Sequence, residues 1–207
     1  MTDQQKLTEV KIFEAAVDVF EEKGLTGARM QEIADKAGIN KALLHYYFRT
    51  KEKLFDAVFA HMAGFLFNKL FACLDQNLPW GKKVTLFYKE HMSFLQSHPR
   101  LPAFILNEIN QHPERISRFF TSERITLLRR NLFDQLEQDM KQGRMMRMDK
   151  MQLLINLIAL SVFPFAARGL LEKLLEQENI TFDEFIEKRK KELPKLVINA
   201  VKTKPSK

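Results

Sequence analysis

The stretch "GARMQEIADKAGINKALLHYYF", residues 27–48, decides the fold of the N-terminal part of the chain. A small residue, Ala34, lets two helices cross closely, and Gly38 then allows the chain to turn. Leu44 follows where a side chain on the next helix would face back onto the two helices before it. The spacing predicts a helix-turn-helix whose second helix is free to enter a major groove.

The second helix of this motif has an outward face, which is what remains when its buried positions are removed. That face holds Lys41, Ala42, Leu43, His45 and Tyr46. Small side chains near the start of a helix permit close approach to base edges, while His45, Tyr46 and Lys51 offer hydrogen bonds and charge to phosphates. We expect Leu43, Lys41 and Gln31 to read the base sequence.

Leu43 is an apolar side chain on an otherwise polar face, and two interpretations of it stay open. The first is contact with a thymine methyl group in the major groove. The second is sideways packing on Tyr47 or on the following helix. The first interpretation predicts that Leu43→Ser changes the preference for the best DNA site.

Apolar residues recur at intervals of three and four along most of the chain, which predicts an all-α fold. The N-terminal module of three helices should end near residue 50, with Thr50 as the N-cap of the next helix. The predicted domains are therefore residues 1–50 and residues 51–207. In the second we expect single helices from about Glu114 to Met140 and from Asp149 to about Leu175.

The net charge of +7 is not spread along the chain, because residues 188–207 alone carry eight Lys or Arg and one Glu. A solvated helix end explains this tail, so the charge by itself is weak evidence for a nucleic-acid partner. An alternative function follows from the same tail, namely a structural protein that docks on anionic lipid at a membrane surface.

The N-terminal sequence has polar and acidic residues where a signal peptide needs a basic start and an apolar block. We therefore expect a cytoplasmic protein. The most apolar segment, residues 153–167, is shorter than the roughly 20 residues that span a bilayer, so a buried helix and no membrane partner are expected. The single cysteine, Cys73, excludes an internal disulfide.

Residues 24–55 resemble the N-terminal signature of the TetR family of bacterial transcriptional regulators, and the helical pattern over the whole chain agrees. The resemblance implies a homodimer with one helix-turn-helix per subunit, a repressor that a small-molecule effector releases from a pseudo-palindromic double-stranded DNA operator. The 1–50 segment would then be the DNA-binding domain, and the 51–207 segment the effector-binding and dimerisation domain. Carried over by position, the DNA contacts fall on Arg29, Gln31, Lys41, Ala42, Leu43, His45, Tyr46 and Lys51.

Two positions depart from the family pattern. Members often carry Thr or Ser before the second helix, where this chain has Ala28 and Arg29. Many also carry Tyr where His45 stands. A histidine still donates to phosphate, and if it binds in its protonated form the affinity for DNA should rise as the pH falls.

The C-terminal part is rich in Phe, since fifteen of the eighteen lie beyond residue 54. Most should fill the core, yet Phe and Met also line pockets for apolar or flat ligands. The polar residues expected to orient such an effector are Tyr88, His91, Asn107, Glu108 and His112, with Trp80 as a stacking surface. A surface position explains most of them equally well.

Catalysis finds little support in the sequence. His91, His98 and His112 occupy different helices or breaks, and no HExxH, GxGxxG, P-loop or GxSxG pattern occurs. We therefore expect no catalytic residues, no metal site and no cofactor.

The last two predicted helices are the expected dimer contact, because their apolar faces exceed what one subunit could easily cover. These faces comprise Leu153, Leu154, Leu157, Ile158, Leu160 and Val162 on the first helix, and Phe182, Phe185, Ile186, Leu193, Val197 and Val201 on the second. The alternative is that both faces are used entirely inside one subunit.

Overall fold

The computed structural model describes residues 3–74 and 78–203, and within these ranges the chain is helical with no strand. The predicted all-α class is therefore confirmed. The helices are α1 (Asp3–Gly27), α2 (Met30–Ala37), α3 (Lys41–Tyr47), α4 (Lys51–Leu74), α5 (Trp80–Ser97), α6 (Leu101–Gln111), α7 (Glu114–Ser117), α8 (Ser122–Leu128), α9 (Asp134–Lys141), α10 (Lys150–Ala166), α11 (Arg168–Glu176) and α12 (Phe182–Ala200), with a π-helical segment at Arg129–Phe133.

The chain divides into two compact units, Met1–Phe65 and Leu66–Lys207. The division falls inside α4 because the first half of that helix packs on α1. Phe55 of α4 meets Phe20 of α1 edge to face, with ring centroids 4.9 Å apart, and both side chains are fully buried. A functional boundary at residue 50 stays a prediction.

The N-terminal unit has an apolar core built from α1 to α4. Its fully buried side chains include Ile12, Phe20, Ile33, Ala34, Leu44, Leu54, Phe55, Val58 and Phe59. Gly38 ends α2 in the left-handed region, with φ 67° and ψ 33°, and its N–H bonds to carbonyls of the last turn. This turn sets α3 across α2, as the sequence predicts.

The C-terminal unit is centred on α5, which packs against α12 along its length and also contacts α10. Asp149 caps α10, accepting from the Gln152 N–H at 2.8 Å. Thr181 and Glu184 form a capping box at the start of α12. The start of α10 at Asp149 agrees with the expected helix.

Two predicted helices are each broken into shorter ones. The helix expected from Glu114 to Met140 stops at Ser117, and α8 starts afresh with Thr121 as its N-cap. The helix expected from Asp149 to Leu175 bends by 72° between α10 and α11. Pro164, inside the last turns of α10, has no backbone N–H, and this weakens the helix just before the bend.

Pro164 also leaves the Leu160 carbonyl without the helical donor it would otherwise have. Arg189 of α12 supplies the missing donors, its Nη2 at 3.0 Å and its Nε at 3.3 Å from the Leu160 oxygen. Burial lowers the pKa of the Arg189 guanidinium. The backbone hydrogen bond that α10 lacks at Pro164 is thus replaced by bonds from a side chain of α12.

The apolar faces expected to form the dimer contact are mostly covered within one subunit. Eight of the twelve residues are at most 7% exposed: Leu153, Leu154, Leu157, Phe182, Ile186, Leu193, Val197 and Val201. These eight residues are covered because α5 and α6 pack against α10, and α5 against α12. A dimer contact through the last two predicted helices stays a prediction.

By length and composition alone, the segment Lys51–Ala72 of α4 is apolar enough to cross a membrane, with half of that window buried inside the fold. The bent pair α10 and α11 passes the same test if it is counted as one span. Core helices of soluble proteins pass this test too, so the finding is weak evidence for a membrane span.

Candidate nucleic-acid interface

The recognition helix α3 is short and is held at both ends. The Asn40 side chain accepts from the Leu43 N–H at 2.8 Å and so caps the start of the helix. Leu44 is fully buried against the rest of the unit, and the Phe48 N–H bonds to the Leu44 carbonyl at 2.8 Å where the helix ends. One buried residue therefore fixes which face of α3 points outward.

That outward face carries the residues predicted from the sequence. Lys41, Ala42, His45 and Tyr46 are exposed, and Tyr46 is 73% exposed with its ring edge against Tyr47. Leu43 is half-buried, so this side chain is placed to pack inside the protein and also to contact a thymine methyl group. An exposed phenol hydroxyl is suited to phosphate contact.

His45 is oriented by its own chain. Its Nδ1 lies 3.3 Å from the Arg49 carbonyl, and since a carbonyl only accepts, Nδ1 carries the proton. The outer nitrogen, Nε2, therefore has no proton in the neutral ring. The pH dependence of DNA binding expected for His45 stays a prediction.

The start of α2 presents Arg29 and Gln31. Both are exposed, but Arg29 occupies the N-cap position without a side-chain cap bond, as the missing Thr or Ser predicts. Gln31 Nε2 donates to Asp35 Oδ1 at 2.7 Å, which leaves the amide oxygen as the free end of the side chain. The two residues lie at the opening of the helix that precedes the turn.

Lys51 differs from the other predicted contacts. Its side chain is half-buried, and its Nζ donates to the Ala28 carbonyl at 3.1 Å. Thr50 accepts from the Lys53 N–H at 3.2 Å, so the expected N-cap of α4 is present.

The six candidate effector residues are not brought together. Tyr88 and His91 are buried on α5, and Glu108 is buried on α6, where its Oε2 lies 3.2 Å from Arg115 Nη1. Although this contact lacks hydrogen-bond geometry, the distance makes the two an ion pair. Asn107 is exposed, and His112 is half-buried beside Glu114.

Burial shapes the chemistry of the two α5 residues. It raises the pKa of the Tyr88 phenol, and it lowers the pKa of His91 to about 4. His91 Nδ1 donates to Ser161 Oγ at 3.0 Å, and Ser161 in turn donates to the Ile158 carbonyl at 2.8 Å. His91 is therefore a neutral core histidine at physiological pH.

Trp80 is the candidate effector residue that lines a sizeable cleft, of about 570 Å³. The cleft lies between the start of α5, the π-helical segment with α9, and the turn after α9. Its lining comprises Pro79, Trp80, Arg130, Asn131, Asp134, Gln135, Gln138, Asp139, Arg144 and Met145. The lining mixes polar and apolar side chains and carries charges of both signs, whereas the Phe content predicts an apolar pocket.

Lys83 is a fully buried charge that the sequence reasoning missed. Its Nζ bonds to the Asn131 carbonyl at 2.5 Å and to Gln135 Oε1 at 2.7 Å, behind the Trp80 cleft. Asn131 lies in the π-helical segment, a geometry that is often found at functional sites. The only signal in the sequence is a lysine next to the apolar positions of an amphipathic helix.

The sequence of this chain is similar to those of known bacterial regulators. Residues 12–58 match the sequence profile described as bacterial regulatory proteins, tetR family. The HTH-type transcriptional repressor NicS of Pseudomonas putida KT2440 is 34% identical over 111 residues, 54% of this chain and 46% of that protein. The fatty acid metabolism regulator protein of Bacillus subtilis strain 168 is 24% identical over 108 residues, 52% of this chain and 56% of that protein.

A solved structure of a transcriptional regulator has the same fold. The ketosteroid transcriptional regulator KstR2 of Mycobacterium tuberculosis superposes with a TM-score of 0.67 at 16% identity, covering 99% of this chain and 98% of that one. The chain spans about half the length of the curated relatives it matches. The proteins named here are regulators, and none of them is an enzyme.

The exposed face of α3 and the Gly38 turn define a helix-turn-helix protein of the kind that presents one helix to DNA. Residues 12–58 match the tetR family of bacterial regulatory proteins, and the chain as a whole shares the fold of a solved transcriptional regulator. The predicted resemblance is confirmed.

Proposed function

We propose that the protein is a DNA-binding transcriptional regulator, a repressor that places α3 of each subunit in successive major grooves of a pseudo-palindromic operator. The observation that carries this proposal is the outward face of α3, where Lys41, His45 and Tyr46 are exposed around the buried anchor Leu44. Gln31, Ala42 and Leu43 would meet base edges, and Arg29 would meet the flanking backbone. Such a role places the protein in the cytoplasm.

DNA selection tests this proposal. Genomic fragments captured by the purified protein should share an inverted repeat, and binding should weaken steeply as the salt concentration rises. Lys41→Ala with Tyr46→Ala should abolish specific binding, whereas removal of residues 202–207 should not. The opposite pattern, with binding to anionic lipid vesicles lost on removal of the tail, would support the membrane-surface alternative instead.

Several tail charges are already engaged within the fold, which disfavours the membrane-surface alternative. Arg189 bonds to the Leu160 carbonyl, Lys190 to Gln96 and Glu187, and Lys195 to Glu192. Lys204 and Lys207 lie outside the described residues. Fewer free cations therefore remain for a lipid surface than the sequence alone implies.

A homodimer that forms through α10 and α12 would present two copies of α3, one for each half of a pseudo-palindromic operator. Leu196 of α12 is 64% exposed and lines both of the clefts on this side, of about 890 and 430 Å³. The smaller cleft is bordered by Gln152 and Asn156 of α10. Leu196→Asp should yield monomers in light-scattering measurements and weaken operator binding, while the exposed substitution Lys191→Asp serves as its control.

A small-molecule effector would occupy the cleft beside Trp80. Its indole supplies a stacking face, and Arg130 and Asp134 supply charges of opposite sign, so the effector should be flat and polar. Trp80 is the single tryptophan, so its fluorescence reports this site directly. Planar molecules that bear a carboxylate or an amine should quench it and release DNA; quenching without release would argue against an effector role.

A further inference from the structure

Acidic and basic residues are separated along the first 53 residues of the chain. Residues 1–38 hold eight Asp or Glu and five Lys or Arg, whereas residues 39–53 hold four Lys or Arg and one Glu. The four cations of the second stretch are Lys41, Arg49, Lys51 and Lys53. Helix α3 and the turn after it therefore form a basic segment beside an acidic one, and basic residues gathered in one place are the charge pattern of a DNA-binding surface.

Arg49 lies in the turn between α3 and α4 and is exposed. Its carbonyl accepts from His45 Nδ1 at 3.3 Å. His45 is exposed on α3, whereas its neighbour Leu44 is fully buried. The backbone of Arg49 therefore lies on the exposed side of α3, next to the side chains that are expected to meet DNA.

The turn that carries Arg49 is fixed at both ends. The Phe48 N–H bonds to the Leu44 carbonyl at 2.8 Å, and Thr50 accepts from the Lys53 N–H at 3.2 Å. A fixed backbone holds the arginine at a defined place relative to α3. Less order then has to be gained when a partner binds, which favours affinity.

The guanidinium of Arg49 is available to such a partner. Within the residues that the structure describes, it makes no hydrogen bond, ion pair or ring contact. Two other cations of the same unit, Lys23 and Lys36, are instead paired with Glu32 and Asp18. A guanidinium offers a planar fork of donors that matches two oxygens of one phosphate.

We propose that Arg49 is a further contact to the operator, made to a backbone phosphate beyond the C-terminal end of α3 and not to a base. This inference rests on the proposed DNA-binding function. A helix of seven residues is about 10 Å long, and the major groove is about 12 Å wide. A side chain just past the end of such a helix lies near the phosphates that border the groove.

The salt dependence of DNA binding tests this contact. Each phosphate contact contributes about 0.9 to the slope of log affinity against log salt, so a dimer with one Arg49 per subunit should lose about 1.8 in Arg49→Met. The probes are the genomic fragment that the selection yields and a scrambled duplex of the same length. Both should bind more weakly by a similar factor, because a phosphate contact carries no sequence information.

Two further variants and one measurement without DNA serve as controls. Arg49→Lys keeps the charge and should keep most of the slope. Lys36→Met removes an exposed lysine that is already paired with Asp18 at 2.9 Å, and it should leave the slope unchanged. Without DNA, Arg49→Met should unfold at the wild-type temperature, because its guanidinium bonds to no other described part of the fold.

Three results would overturn the inference. The first is an unchanged slope in Arg49→Met. The second is a lower unfolding temperature that accompanies the loss of affinity, since this indicates a structural role. The third is weaker binding of the selected fragment alone, which indicates a contact to a base. If the wild-type protein binds neither duplex, the proposed function itself fails; if it binds both and Arg49→Met keeps the slope, the inference alone fails.

Discussion

The two compact units bury different kinds of side chain. Among the described residues, the buried polar or charged ones are Lys83, His91, Glu108, Asp139 and Ser161, and all five lie in the unit Leu66–Lys207. The buried residues of the unit that contains α3 are apolar. The N-terminal unit thus keeps its polar groups for the surface, whereas the C-terminal unit uses them to join its helices.

The difference has a physical consequence. An apolar core is stabilised by burial and packing, which depend little on pH or on a single partner. A buried polar group is stable only while its partners remain and its charge state is right. The stability of the C-terminal unit should therefore respond to pH and to substitution of single buried polar residues more strongly than the stability of the N-terminal unit.

The largest expected effect is in the apolar core of the N-terminal unit. Phe55→Ala removes a fully buried ring that contacts Phe20 and should destabilise the unit by about 4 kcal/mol. Protection factors of the α1 amides should fall equally at pH 5 and pH 7. Phe65→Ala, at a ring that is 47% exposed, is the control, and a strong pH dependence of the Phe55→Ala loss would break the comparison.

The next effect is the pH dependence of the C-terminal unit. The pKa of His91 falls from its ordinary value of 6.5 to about 4 because of burial, so the unfolded chain takes up a proton at a higher pH than the folded one. Stability is complete above pH 6.5 and should drop by about 3 kcal/mol as the pH falls to 4.

Urea unfolding followed by Trp80 fluorescence measures this loss, because the single tryptophan lies in this unit. His91→Gln should remove most of the pH dependence between 4 and 6.5, and the exposed His61→Gln should leave it intact. A wild-type protein whose urea midpoint is flat over this range would contradict the assignment.

Lys83 should show a smaller effect. Lys83→Met keeps the buried stem but takes the charged donor from the Asn131 carbonyl and from Gln135, so the C-terminal unit should lose about 2 kcal/mol. Lys82→Met changes an exposed neighbour and should shift stability by less than about 0.5 kcal/mol. Equal urea midpoints for the two variants would show that the buried lysine does not hold the π-helical segment.

The smallest effect belongs to a surface cap of the N-terminal unit. Asn40→Ala removes the acceptor of the Leu43 N–H and should cost about 1 kcal/mol, together with faster amide exchange in α3. Asn40→Asp keeps a capping oxygen and should be close to the wild type. Loss of DNA binding in both variants would indicate a direct contact by Asn40 instead of a cap.

The outward face of α3 was predictable from sequence because the helix is short and one apolar residue, Leu44, fixes its rotation. Gly38 and Asn40 act within a few residues of themselves, so their roles are visible locally. Arg29 likewise has no cap bond because neither it nor Ala28 has a suitable side chain. The DNA contacts themselves stay predictions.

The polar groups of the C-terminal unit could not be placed in the same way. His91 meets Ser161 from 70 residues away, and Lys83 meets Gln135 from 52 residues away, so their burial depends on tertiary packing. Thr121 is a suitable N-cap, but the helical spacing of the apolar residues around it predicts one continuous helix. Eight apolar residues of α10 and α12 are likewise covered by α5 and α6, which the sequence of either helix alone does not show.

Pro164 and Arg189 restrict the order in which the two positions can be replaced. While Pro164 is present, losing Arg189 leaves the Leu160 carbonyl without its donors. If Pro164 is first exchanged for a residue with a backbone N–H, the helix regains its own donor and Arg189 becomes dispensable. Substitution of Arg189 should therefore destabilise the protein while Pro164 is present and be tolerated once the proline has been replaced. The two substitutions can thus be accumulated in one order more easily than in the other.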